Sequence, residues 1–232
     1  MTNDDSISPR CPVGAERCSV LDEVVESRHL VSQLSELIRT DGLTGLYNFR
    51  FLLQTLELEM ERTRRSRQPT GLVMLDLDHF KQINDSWGHE AGNRALVHLA
   101  RIMRQSLRKF DIPCRYGGEE FAIVLAGTDL ADSIRVAERL RKKIATTPLK
   151  AEGAEIALRA SFGLEVFAGR EEITAEELIR RADAHLYRAK EEGRNRVCHP
   201  PFKASDAVVG VGAEERRGLW AELAKEKPKK GK

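Results

Sequence analysis

The chain has 232 residues, of which 41% are hydrophobic and 32% charged, and its formal net charge is +2. This length fits one domain of ordinary size with extensions, and the balanced charge provides no basic field for nucleic acid. No apolar run approaches the roughly 20 residues that span a bilayer, and the acidic start lacks the features of a signal peptide. We therefore expect a cytoplasmic protein with no integral membrane segment and no nucleic-acid partner.

Both ends of the chain are polar. We expect residues 1–19 to be disordered, residues 20–40 to form a helical stalk, and residues 200–232 to be a flexible, charged tail. Apolar residues recur at helical spacing in the stalk, so it either pairs with a second copy as a short coiled coil or packs on its own domain. The folded domain is then expected at residues 41–199.

The four cysteines include no close CxxC pair; they are Cys11, Cys18, Cys114 and Cys198. Free thiols are the simplest interpretation in a reducing compartment. The alternative is a metal or redox site formed by Cys11 and Cys18 with His29, although that spacing matches no standard zinc pattern.

Between the two ends, the spacing of apolar residues alternates between helical and strand-like periods. Helical stripes cover residues 49–60, 96–107 and 130–146, and a further helix starts near Thr174, a good N-cap with Glu177 three places on. Strands are predicted at residues 72–77, on both sides of Gly117, at 156–166 with one buried face, and at 196–198. The order predicts an α+β fold with a central, mostly antiparallel sheet flanked by helices.

Two acidic segments lie at strand ends. The run GGEEF at residues 117–121 places two glycines before two carboxylates, and paired glycines permit a tight hairpin with positive φ. Such a turn would push Glu119 and Glu120 out of the sheet, while Asp76 ends the upstream strand. Carboxylates from two strands are the usual protein share of a Mg²⁺ site. The alternative for the hairpin alone is a solvated acidic turn.

Several further motifs accompany GGEEF in a fixed order. They are DGLTGLYN at 41–48, DLDHFKQIND at 76–85, GHEAG at 88–92, ADAHLYRAK at 182–190 and GRN at 193–195. With these motifs the chain resembles the GGDEF family, the diguanylate cyclases, in the variant whose signature reads GGEEF. The resemblance runs from about Asp41 to Cys198, and it implies a palm-like nucleotidyl-cyclase fold.

The resemblance also implies a reaction and its cofactor. Diguanylate cyclases join two GTP molecules through two 3′–5′ phosphodiester bonds and release two pyrophosphates. Each domain holds one nucleotide, so catalysis is expected in a homodimer. The expected cofactor is Mg²⁺ or Mn²⁺, with two ions per active half-site.

By the same resemblance, Asp76 and the backbone carbonyl of Leu77 bind metal together with Glu119 and Glu120. Glu119 is the candidate proton acceptor, Glu120 is a further ligand, and Lys81 is a further catalytic candidate. The roles of Glu119 and Glu120 stay interchangeable, because a sequence cannot orient two adjacent carboxylates.

Phosphate contacts are expected from cations and backbone N–H groups. Phe80 and Lys81 open a turn after the metal strand. Lys190 and Arg194, four apart, are predicted to share one face of the last helix and to reach the β and γ phosphates. Arg115, just before the signature, is a further candidate substrate contact.

The base-recognition motif departs from the family pattern GHxxGD, because Asn93 stands where the family has Asp. An amide offers one acceptor and one donor group, so it cannot accept both guanine N–H groups as a carboxylate does. The same pair matches an adenine edge. We expect weakened guanine selection, with cyclic GMP-AMP synthesis as the sharper hypothesis. The alternative is that Asn84, His89 and pocket shape suffice for GTP.

A second nucleotide site is expected at residues 108–111, five residues before the signature, which is the spacing of the family's RxxD product-inhibition motif. Arg108 would contact product phosphate or guanine, Asp111 the guanine N–H edge, and Arg139 would assist. The main alternative to an enzyme is a silent protein that binds cyclic di-GMP or GTP. Silent relatives usually lack a signature carboxylate, whereas this chain has both.

Overall fold

The computed structural model describes residues 26–27, 39–151 and 154–202. Glu26 and Ser27 are helical. The rest of the predicted stalk up to residue 38, the predicted disorder at 1–19, the idea of a site at Cys11, Cys18 and His29, and the tail beyond residue 202 lie outside the described residues.

From residue 49 onwards, the described residues form four helices and seven strands. The helices are α1 Phe49–Ser66, α2 Phe80–Ser106, α3 Leu130–Ala145 and α4 Ala175–Glu191. The strands are β1 Thr70–Leu77, β2 Ile112–Gly117, β3 Glu120–Leu125, β4 Leu149–Ala151, β5 Ala154–Ile156, β6 Ala160–Phe167 and β7 Val197–Cys198.

Five strands form the main sheet in the order β2-β3-β1-β6-β7. All neighbours are antiparallel except β6 and β7, so the predicted α+β fold with a mostly antiparallel sheet is confirmed. The small hairpin of β4 and β5 was not predicted.

Helices cover both faces of the sheet. Val73 and Leu75 of β1 belong to a core formed with α2 and α3, whereas Leu72 and Met74 belong to a second core with α1 and α4. Successive strand residues point to opposite faces, so a run without polar gaps is what a doubly covered strand requires. All eight residues of β1 are buried.

The predicted strand at residues 156–166 needs correction in two respects. Ile156 belongs to β5, and β6 begins only at Ala160. Residues 160–164 are all buried, because helices cover both faces of this strand, so the expectation of one buried face is wrong. Ser161 and Gly163 stand at positions that the period-2 pattern assigned to solvent, and both are small and buried.

Helix α4 begins at the N-cap that the sequence predicts, and helix α2 is bent at a glycine. The Thr174 hydroxyl accepts a hydrogen bond from the Glu177 N–H at 3.2 Å, which confirms the predicted N-cap. Helix α2 is kinked at Gly88, where φ is 80° and ψ is 162°. The GHEAG motif therefore sits where the helix changes direction.

Across the described ranges, no helix has the length and apolar character needed to cross a bilayer.

Candidate active site

The acidic ends of β1 and β3 meet because these two strands are neighbours. Asp76 lies directly opposite Glu120 in the antiparallel ladder, and the Leu77 N–H donates to the Glu119 carbonyl at 3.4 Å. The turn between β2 and β3 uses a positive φ of 36° at Gly118. Glu120 stays in the ladder as the first residue of β3, so only Glu119 lies in the turn, contrary to the expectation that both leave the sheet.

The pKa values of Asp76, Glu119 and Glu120 are all raised by burial and by neighbouring carboxylates. Burial is the main reason that the pKa of Asp76 is raised, and the charge of Asp78 adds to it. Burial and then the charge of Asp76 raise the pKa of both Glu119 and Glu120. The Lys190 ammonium lies 2.8 Å from the Asp76 carboxylate and compensates part of this charge. The site is therefore built to receive positive charge.

The donor set fits a hard divalent cation. Carboxylate and carbonyl oxygens are its preferred ligands, and Mg²⁺ usually takes only one or two carboxylates from the protein and the rest from water and phosphate. In the described part of the chain, no group of three or more His, Cys, Asp or Glu side chains is arranged as a metal site on its own.

Lys190 and Arg194 do not share one face of the last helix, so that prediction is wrong. Helix α4 ends at Glu191, and Gly193, Arg194 and Asn195 all have positive φ in the turn that follows. Arg194 nevertheless lies close enough to Asp76 for its charge to favour the ionised carboxylate, after the larger effect of Lys190. The two cations approach Asp76 from different elements.

Helix α2 carries the predicted base contacts, Asn84, His89 and Asn93, on both sides of its kink. It also carries the predicted phosphate contacts, Phe80 and Lys81. Phe80 is buried at the start of the helix, and Asn84 is half-buried, whereas Lys81, His89 and Asn93 are exposed. A Cβ atom on Gly92 would lie 1.9 Å from the Asn84 side-chain oxygen, so Asn84 packs directly against the Gly92 backbone. Because glycine has no side chain, the Asn84 side chain can lie against the backbone at position 92.

Asn93 also lines a groove of about 640 Å³ between α2 and the residues that lead into β4. Leu43, Val97 and Leu149 supply apolar wall, and the lining cations include Arg94. Among the candidate base contacts, Asn93 lines this groove, whereas Asn84 and His89 do not.

Arg115 is engaged by the protein itself. Its guanidinium donates to the Gly118 carbonyl at 2.7 and 3.0 Å and to both carboxylate oxygens of Asp41 at 3.1 and 3.2 Å. Partial burial alone would raise the pKa of Asp41, but hydrogen bonds from Thr44 and the nearby Arg115 lower it below its usual value. These contacts favour a role for Arg115 in fixing the GGEEF turn rather than in holding substrate.

The RxxD residues form a compact turn on a different part of the surface. The Asp111 carboxylate accepts from the Arg108 N–H at 2.8 Å, and the Asp111 N–H donates to the Arg108 carbonyl at 3.1 Å. Arg139 of α3 donates to the Ser106 carbonyl at 3.0 Å, so it lies beside this turn. Arg139 thus lies near the start of this turn, and the Arg108 side chain is exposed.

Two residues near the site were missed in the sequence. Asp78 is buried and binds groups from β6 and from the turn after α4. Asp183 lies close enough to Glu120 to raise its pKa, after the larger effects of burial and Asp76. Asp183 and Lys190 are seven apart, a helical repeat that could have signalled a shared face. No local signal reveals the partners of Asp78.

Comparison with known proteins points to one family. Residues 38–196 match the family described as "Diguanylate cyclase, GGDEF domain". The response regulator PleD of Caulobacter vibrioides is 40% identical over 164 residues, which are 70% of this chain and 36% of that protein. The chain spans between 29% and 40% of the length of the curated relatives that it matches.

Solved structures agree with this match. Diguanylate cyclase SiaD from Pseudomonas aeruginosa, in complex with its activator SiaC, has a TM-score of 0.68 at 40% identity, covering 77% of this chain and 68% of that one. The coiled coil and GGDEF domain of DgcB from Caulobacter crescentus, in complex with c-di-GMP, has a TM-score of 0.67 at 28% identity, covering 77% and 94%.

Proposed function

Because this chain belongs to the GGDEF family of diguanylate cyclases, we propose that it condenses two GTP molecules into cyclic di-GMP and releases two pyrophosphates. The observation that carries the proposal is the meeting of Asp76, Glu119 and Glu120 at neighbouring strand ends with Lys190 among them. Acidic groups from two strands beside the Lys190 ammonium suit a site that exchanges this cation for a metal–triphosphate.

Asp76, the Leu77 carbonyl, Glu119 and Glu120 are the residues that would hold Mg²⁺ or Mn²⁺, which we propose as two ions per half-site. When bound, such ions neutralise the triphosphate and make a hydroxyl easier to deprotonate. Lys190 leaves Asp76 and contacts the incoming phosphates together with Arg194, which aligns the α-phosphate for attack. Lys81, exposed at the start of α2, is a further candidate cation for the phosphates.

Glu119 accepts the proton of the attacking ribose 3′-OH. Burial and the charge of Asp76 raise its pKa, and a base works best when its pKa lies nearer the working pH. The hydroxyl oxygen forms the bond to the α-phosphorus, the bond to pyrophosphate breaks, and the proton goes to the carboxylate. Glu120 is held in the ladder opposite Asp76 and suits a ligand role.

The reaction needs two half-sites facing each other, so the active species is a homodimer. The domain carries one set of the residues above, and the second phosphodiester bond requires the same attack from the other half-site, related by a two-fold rotation. Any contact that raises the local concentration of a second copy raises the rate in proportion.

A product assay tests the function and the base preference together. Purified protein with Mg²⁺ is incubated with GTP alone and with an equimolar GTP and ATP mixture, and products are resolved by mass spectrometry. We expect cyclic di-GMP from GTP, and no product from Glu119→Ala. Binding of GTP or cyclic di-GMP without turnover at any protein concentration would instead support a silent binding protein.

Cyclic GMP-AMP is the second candidate product, and Asn93 is the observation that favours it. Asn93 is exposed on α2 beside the groove, and its amide presents the donor and acceptor that match adenine. We expect Asn93→Asp to raise the preference for GTP over ATP by roughly 10-fold, the effect of one correctly paired polar contact. A GTP preference equal in wild type and variant would remove Asn93 from base recognition.

We propose that product inhibition acts at Arg108, Asp111 and Arg139. Arg108→Ala is expected to raise the concentration of cyclic di-GMP that halves the rate by about 10-fold or more, because a charged contact to phosphate is lost. The initial rate should stay unchanged. Lys109→Ala, an exposed cation at the next position, is the matched control and should leave inhibition intact. Equal inhibition of wild type and Arg108→Ala would refute this site.

A further inference from the structure

The turn after α4 holds an unfavourable backbone shape at two consecutive residues that are not glycine. Arg194 has φ of 63° and Asn195 has φ of 46°, both in the left-handed region. Side chains resist this region, and residues in it persist only where surrounding contacts enforce it, often at functional sites. The contacts that hold this turn therefore decide where Arg194 points.

One set of contacts comes from Asp78, which is 6% exposed at the end of the metal strand. One of its carboxylate oxygens accepts from the Asn195 N–H at 2.9 Å, and the other accepts from the Ser161 hydroxyl at 2.6 Å. Its own N–H donates to the Arg159 carbonyl at 2.9 Å. Both oxygens are thus used within the protein, which distinguishes Asp78 from Asp76.

The second set of contacts comes from α3. The Arg141 guanidinium donates to the carbonyl and to the side-chain oxygen of Asn195, each at 3.3 Å. Glu138 in turn holds that guanidinium at 2.9 Å. The turn is therefore held at the Asn195 amide from one side and at the Asn195 oxygens from the other.

Asp78 lies close in sequence to the candidate metal ligand Asp76, and its hydrogen-bond partner in the turn is next to Arg194. It stands two residues after Asp76, and Arg194 stands one residue before the N–H that Asp78 binds. A carboxylate suits this position because it accepts two hydrogen bonds in different directions on a short side chain. Losing it would leave the partly buried Asn195 N–H and the buried Ser161 hydroxyl without this acceptor.

We infer that Asp78 is a positioning residue that fixes the turn at 193–195 and so aims Arg194 at the substrate triphosphate. The inference rests on the proposed function, because Arg194 needs a triphosphate to contact. Asp78 itself touches neither nucleotide nor metal.

A double-mutant cycle tests this role. Asp78→Ala and Arg194→Ala should each raise the KM for GTP and lower kcat/KM by roughly 10- to 100-fold, with a smaller change in kcat. The double variant should be no worse than Arg194→Ala alone, because Asp78 acts through Arg194. Multiplied losses in the double variant would overturn the inference. Asp132→Ala, an exposed carboxylate in the first turn of α3, is the control and should match wild type.

A second measurement does not depend on turnover. Hydrogen exchange of the Asn195 N–H should be at least 10-fold faster in Asp78→Ala than in wild type, and partly restored in Asp78→Asn, whose amide retains one acceptor oxygen. If Asp78→Ala does not fold, Asp78→Asn and Ser161→Ala provide the comparison. Unchanged exchange would overturn the inference even in an active enzyme. A wild type that makes no cyclic dinucleotide but loses Asn195 protection on substitution would refute only the proposed function.

Discussion

Asp76→Asn is expected to lower the rate of cyclic dinucleotide formation by roughly 10³-fold or more while the domain stays folded. The amide has nearly the shape of the carboxylate, so the ladder between β1 and β3 should persist. It lacks the charge that a metal–triphosphate requires opposite Glu120. Pyrophosphate release with Mg²⁺ and GTP measures the effect.

The same substitution should leave thermal stability at pH 7 equal to or higher than that of wild type. Burial raises the pKa of Asp76, so its ionised form is less favourable in the folded chain than in the unfolded one. This destabilisation by the ionised Asp76 carboxylate is present at pH values above the raised pKa. It disappears as the pH falls through that pKa. Melting curves in EDTA should therefore converge as the pH falls from about 7 towards about 4.

The partner of Asp76 does not reverse this expectation. The Lys190 side chain is 32% exposed, so it can turn into solvent when the carboxylate is lost. Asp132→Asn makes the same chemical change on the surface and should alter neither activity nor the pH dependence of melting. Full activity of Asp76→Asn would contradict the proposed site, and a lower melting temperature at pH 7 would contradict the charge argument.

Gly163→Ala is expected to lower the free energy of unfolding by about 3 kcal/mol, at the upper end for an overpacked core. A Cβ atom there would lie 2.0 Å from the Leu186 backbone nitrogen and 2.3 Å from the Ala182 carbonyl oxygen of α4. Backbone atoms cannot rotate away, so the helix and β6 would have to separate. For a domain of this size the melting temperature should fall by roughly 6 to 12 °C.

Gly42→Ala is the matched control for this stability test. Nothing lies within 4 Å of a Cβ atom at Gly42, and its φ is not positive. Its free energy of unfolding should stay within about 0.5 kcal/mol of wild type. Denaturant unfolding of both variants measures the difference, and equal midpoints would show that α4 and β6 do not pack as closely as described.

Several parts of the fold were predictable because they depend on neighbouring residues. The Thr174 cap, the helix at residues 130–145 and the buried run of β1 follow from local periodicity and from short side-chain contacts. The boundaries of β6 were not predictable, because both of its faces are covered. An alternating pattern then no longer distinguishes buried positions from exposed ones.

The candidate site shows the same division. Asp76 and the GGEEF turn stand out as acidic residues that end apolar strands, so their chemistry was predictable. The face shared by Lys190 and Arg194 was predicted incorrectly, because helical spacing was extended past Glu191 into a left-handed turn. The engagement of Arg115 by Asp41 was also missed, since 74 residues separate them.

Residue types and their local order by themselves determined the element sequence apart from the β4–β5 hairpin. They also determined the acidic strand ends and the family to which the chain belongs. Only the tertiary structure decided that β1 lies between β3 and β6, which brings Asp76 opposite Glu120. It also decided that Asp78 accepts hydrogen bonds from Ser161 and Asn195, which lie 83 and 117 positions further along the chain. Local patterns arise from interactions between near neighbours, whereas these contacts form only when distant segments pack into one core.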